Sequence, residues 1–97
     1  MKNLQKIKEI LRENKAALRR QYKVRDIAIF GSFAKGEQQG GSDIDLLVEF
    51  ESPIGLFAFM DLEEHLQDLL GARVDLVTRK ALKPNIGRSI LEELVPV

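Results

Sequence analysis

The spacing of hydrophobic positions changes several times along the chain, and each change marks a predicted element. Leu4, Ile7, Leu11 and Leu18 recur at helical spacing with Ile10 beside them, while lysine, arginine and glutamate fill the other faces. This pattern predicts an amphipathic helix over residues 3–21. Val24 to Phe30 is short and apolar toward its end, and predicts a first strand. Gly31 and Ser32 stop it, with a short helical turn expected at Phe33-Ala34-Lys35. Gly36 to Gly41 reads as a polar, glycine-rich loop. Asp43 to Phe50 predicts a second strand, broken by Ser52-Pro53-Ile54-Gly55. Leu56, Phe59, Leu62, Leu66 and Leu69 fit one face of a helix that Gly71 ends. Arg73 to Thr78 predicts a third strand. Pro84 can start a last helix with Ile86, Ile90, Leu91 and Leu94 on its inner side. The order predicts an α/β (α+β) architecture, a small sheet flanked by helices. Periodicity gives neither strand order nor direction.

Composition narrows the picture. The 97 residues fit one domain, expected to span 1–97. Hydrophobic residues make up 44%, too many for a disordered chain. Lys plus Arg and Asp plus Glu both number 15, so the net charge of +0 gives no bulk pull toward nucleic acid or an anionic membrane. With no cysteine there is neither a disulfide nor a thiolate metal site, which suits the cytoplasm. The charged opening residues lack the apolar core of a signal peptide, and no stretch is long and apolar enough to span a bilayer.

The candidate chemistry lies in Asp43, Asp45 and Asp75. Residues i and i+2 of a strand share a face, so Asp43 and Asp45 are expected to project together while Ile44 enters the core. Two adjacent carboxylates repel, and a cation between them resolves the conflict. Hard oxygen donors favour Mg²⁺, and Mg²⁺ suggests a phosphate substrate. Asp75 stands between Val74 and Leu76, so it should leave by the face opposite the core. If the third strand adjoins the second, Asp75 joins the pair. Such a cluster can hold metals that bridge triphosphate oxygens, and Asp75 is the candidate to take a proton from an incoming hydroxyl.

Gly31-Ser32 adds a phosphate cradle. Glycine admits close approach to the backbone, and the following amides and the Ser32 hydroxyl can donate to phosphate oxygens. Lys35 supplies positive charge nearby, and Ser42, beside Asp43, completes the candidate nucleotide-binding set.

GSFAKG, a short loop, SDIDLLVEF and a later VDLV together resemble the DNA polymerase β-type nucleotidyltransferase superfamily. The nearest resemblance is to its minimal nucleotidyltransferase group, often the antitoxin half of HEPN–MNT toxin–antitoxin pairs. It covers almost the whole chain, from the strand before Gly31 through the final helix. It implies a mixed sheet flanked by helices, an NTP held by Gly31 and Ser32, and Mg²⁺ bound by Asp43 and Asp45 with Asp75 completing the triad. Many members carry arginine where this chain has Lys35; lysine keeps the charge and loses the bidentate fork. The resemblance further implies AMP transfer from ATP to a hydroxyl of a HEPN partner. One domain leaves little surface for choosing an acceptor, which also argues for a separate partner. A non-catalytic antitoxin that masks its partner and a small-molecule nucleotidyltransferase of the antibiotic-modifying kind are the alternatives.

Other features have plainer readings. D-x-D also opens haloacid dehalogenase and glycosyltransferase sites, but here the apolar run follows the acidic pair and the chain is too short for those folds. His65 reads as a helix-surface residue and Tyr22 as a partly buried anchor. Lys6, Lys8, Arg12, Lys15, Arg19 and Arg20 are offset by Glu9 and Glu13, a solvated face. Arg79, Lys80, Lys83 and Arg88 read as solvated or as contacts for an anionic partner. Phe57, Phe59 and Met60 read as core and interface. Exposed apolar surface on the third or last helix would serve a homodimer or partner docking.

Overall fold

A computed structural model describes residues 3–81 and 90–97. Helix α1 (Leu4–Tyr22) starts where the Asn3 side chain accepts from the Lys6 N–H at 2.9 Å. It ends at Lys23, whose φ of 61° lets its N–H reach the carbonyls of Arg19 and Leu18. The helical stripe read from the sequence is the buried one: Ile7, Leu11 and Leu18 are fully covered. Strand β1 (Val24–Phe30) runs into the short helix α2 (Gly31–Lys35), so Gly31 and Ser32 belong to α2 rather than only preceding it. Strand β2 (Ile44–Phe50), helix α3 (Leu56–Leu70) and strand β3 (Val74–Thr78) follow, then a 3-10 turn at Arg79–Ala81. Residues 90–92 are helical and lead to a strand the pattern did not predict, β4 (Val95–Pro96). Pro84, Ile86, Lys83 and Arg88 lie outside the described residues.

The sheet is mixed, in the order β3-β2-β1-β4. β1 is antiparallel to both β2 and β4, and β2 is parallel to β3. Alternation then sorts the side chains. Ile27, Ile29, Ile44, Leu46, Val48, Val74 and Leu76 join Ile7, Leu11 and Leu18 of α1 and Leu62, Leu66 and Leu70 of α3 in one core. The opposite face carries Asp45 and Asp75, with Leu47 between the strand ends. Burying a leucine of this kind contributes about 1.5–3 kcal/mol, which fixes which face each strand presents.

Two expectations on the helices are revised. In α3 the buried line is Leu62, Leu66 and Leu70, with Phe59 and Leu69 flanking it. Leu56 is 70% exposed because the first turn of α3 lines an open groove instead of the core. Phe57 and Met60 are exposed beside it, so neither is core. Near the C-terminus Leu91 is exposed, whereas Ile90 and Leu94 are half-buried. Among the described residues, no helix is long and apolar enough to cross a membrane.

Candidate active site

Three strand ends meet where the sequence-derived residues stand. β1 delivers Gly31, while β2 and β3 begin with Ile44 and Val74 and carry Asp45 and Asp75 one residue later. The parallel register sets Asp45 directly opposite Asp75, and the antiparallel register sets it opposite Phe30, next to Gly31. The backbone ladder itself therefore brings these groups together. Helix α3 reinforces it: Gln67 Oε1 accepts from the Val74 N–H at 3.1 Å, and the Ile44 N–H donates to the Arg73 carbonyl at 2.9 Å.

Asp43 lies just before β2, one residue outside the ladder. The loop decides this: the Ser42 N–H donates to the Gln39 carbonyl at 3.0 Å, and Ser42 Oγ accepts from the Gln39 N–H at 2.9 Å. Ser42 thus shapes the entry to the strand. Asp43 still stands close enough for its charge to act on Asp45. Burial, then the charges of Asp75 and Asp43, then a hydrogen bond with Asp75 all hold the Asp45 carboxyl above its ordinary value of 3.8. Asp45 is half-buried, and Asp43 and Asp75 are exposed.

Gly31 is required here twice over. Its φ is +73°, and a Cβ would overlap the Asp45 carboxylate, with Cγ only 2.9 Å away. The carboxylate therefore lies directly against the Gly31 backbone. Ser32 opens the first turn of α2 half-buried, and Phe33 anchors that turn in the core. Lys35, which the sequence placed near phosphate, meets Glu93 at 3.1 Å. Sequence reasoning missed Glu93 because the strand that carries it in is only two residues long.

These features match a known domain. The family model for the nucleotidyltransferase domain aligns with residues 4–97. The chain belongs to this family. As a nucleotidyltransferase it resembles a relative from Methanocaldococcus jannaschii named as a candidate protein adenylyltransferase, 49% identical over 98% of both chains. It is also 45% identical to the protein adenylyltransferase MntA of Thermococcus cleftensis, over 100% of this chain and 98% of that one. A solved minimal nucleotidyltransferase superposes with a TM-score of 0.82 at 34% identity, covering 99% of this chain and 97% of its own. A toxin–antitoxin crystal structure with AMP-PNP superposes with a TM-score of 0.71 at 27% identity, covering 98% of this chain and 72% of that one.

A groove of about 720 Å³ in this nucleotidyltransferase lies away from the carboxylates, at the other end of β2 and β3. Glu49 bridges Arg25 at 3.0 Å and Arg79 at 2.7 Å there, and the two guanidinium groups hold its carboxyl below the usual range. Arg79 is thereby committed to an ion pair. The His65 and Tyr22 rings lie 5.7 Å apart, tilted by 46°, between α3 and α1; Tyr22 is the partly buried anchor expected, and His65 is half-buried against it, not a free helix-surface residue.

Proposed function

We propose that this chain is a Mg²⁺-dependent protein adenylyltransferase that moves AMP from ATP to a hydroxyl of a HEPN partner and so acts as an antitoxin. The observation that carries this reading is the in-register Asp45–Asp75 pair lying against the Gly31 backbone. Asp45, crowded by Asp75 and Asp43, favours either a proton or a cation beside it. The donors are all hard oxygens, which fits Mg²⁺. Among the described residues no three side chains form a ready-made metal cage. Mg²⁺ uses one or two carboxylates and takes the rest of its shell from water and substrate phosphates.

Asp43 and Asp45 would hold the ion, with Asp75 beside them. Bound there, it would offset the charge of the triphosphate during in-line displacement. The remaining roles fall to the chain itself. Ser32 Oγ and the amides of the Gly31–Ser32 turn orient the phosphates by donating to their oxygens. Lys35 adds a cation to that end of the nucleotide. Asp75, exposed at the mouth of the site, accepts the proton of the attacking hydroxyl. The new bond joins that hydroxyl oxygen to the α-phosphorus, and pyrophosphate leaves. The named relatives, and the toxin–antitoxin neighbour with AMP-PNP, support a protein acceptor and an adenine nucleotide.

The decisive experiment supplies labelled ATP, Mg²⁺ and the HEPN protein expected as partner. Native protein should label the partner, and the double variant Asp43→Asn with Asp45→Asn should not. Binding of the partner by native protein without any transfer of label would overturn the assignment. If the double variant still neutralised the partner, masking would replace catalysis as the antitoxin mechanism.

A further inference from the structure

Glu93 stands beside the phosphate-binding segment, and the backbone puts it there. β4 pairs with β1 through Ile29 opposite Val95 and Ala28 opposite Pro96. The Val97 N–H donates to the Ile27 carbonyl at 3.1 Å, and Lys15 Nζ donates to the Val97 carbonyl at 3.0 Å. Glu93 stands in the turn two residues before β4, whose pairing with β1 brings it near α2. There its Oε1 lies 3.1 Å from Lys35 Nζ, at the last residue of α2. The carboxylate hydrogen-bonds the ammonium and raises its pKa above the ordinary value. Gly36 follows with φ +71° and caps α2, so the base of the Lys35 side chain is held while its long stem remains free to swing.

We propose that Glu93 is a placeholder for phosphate: it holds Lys35 in the free protein and gives the lysine up to the triphosphate when nucleotide binds. The proposal rests on the reading of Gly31–Lys35 as the phosphate-binding segment. A triphosphate carries several times the charge of a carboxylate, so the exchange runs toward the nucleotide. Both partners are partly exposed, and an exposed ion pair is weak enough to break for a stronger anion. Lysine suits such an exchange, being a point charge on a flexible stem where arginine would fork across both anions. Glu93 is thus a positioning residue that competes with the substrate and lowers its affinity.

The test measures the Kd of AMP-PNP with Mg²⁺ by calorimetry for the native chain, Glu93→Gln, Glu93→Ala, Lys35→Ala and the Lys35→Ala/Glu93→Gln double variant, each first shown by thermal melting to be folded. Freeing Lys35 should tighten binding about two- to fivefold in both Glu93 variants, the range open to an exposed pair. Lys35→Ala should weaken binding, and in that background Glu93→Gln should change nothing. Unchanged or weaker binding by the Glu93 variants would overturn the placeholder role. So would equal tightening in the Lys35→Ala background, which would mean general repulsion. If Lys35→Ala alone left the Kd unchanged, the phosphate reading of Lys35 would fall, and the placeholder with it.

Discussion

Replacing Asp45 by Asn should make the protein more stable at neutral pH while ending the proposed adenylyl transfer. Neighbouring strands lie about 4.8 Å apart, so two ionised carboxylates in register come within about 5 Å of each other. Their repulsion is about 0.8 kcal/mol in bulk water and about 3 kcal/mol at an effective dielectric constant near 20. Asp45 is only half-buried, so solvent screening brings the expected gain to about 1 kcal/mol. In a domain of this size that is about 4–8 °C in Tm. Asn keeps an N–H that can donate to Asp75, so the contact survives without the charge. The sign depends on pH. Because the folded-state pKa of Asp45 is raised, protonated Asp45 favours the fold in acid, and that contribution is lost as pH rises through the raised value. The advantage of Asn should therefore be full near pH 7 and fade toward about pH 4. Mg²⁺ should raise the Tm of the native chain and affect the variant less. Melting curves followed by circular dichroism at both pH values supply the measurement. An Asp45→Asn protein less stable than native at pH 7, or one whose gain persists unchanged in acid, would refute the electrostatic account.

Two further perturbations probe separate parts of the structure. Gly31→Ala should cost about 1–3 kcal/mol in urea denaturation, because alanine meets both the positive φ and the Asp45 carboxylate, and transfer activity should fall with it. Glu49→Gln should lower Tm at pH 7 by no more than a few degrees, since it weakens screened ion pairs to Arg25 and Arg79. The lowered pKa of Glu49 means that its contribution is present above the ordinary value of 4.5 and lost as pH falls through the depressed one. The difference between variant and native should therefore vanish in acid.

The elements with long periodic patterns were legible in the sequence, and those made by distant pairing were not. α1 and the three longer strands follow from burial alone, since Ile7, Leu11 and Leu18 or Ile44, Leu46 and Val48 must share a face. β4 has two residues and includes Pro96, which reads as a strand breaker until its edge position is known. The faces of Asp45 and Asp75 followed from their apolar neighbours. Their register did not, because it depends on how α3 returns the chain to β2. Asp43 was set in the strand by its spacing, but the turn closed by Ser42 delays the ladder by one residue. Lys35 carried a visible charge, and its partner Glu93 is distant in the chain and reached only through the β1–β4 pairing.

The register of β2 on β3 has an evolutionary consequence. A slip by one residue would part Asp45 from Asp75 and at the same time turn Leu46 and Leu76 out of the interior. Folding and acid-pair geometry are thus encoded by a single alignment of two strands. Descendants of this chain can lose its chemistry by exchanging a carboxylate, but misaligning those strands would forfeit the folded state as well.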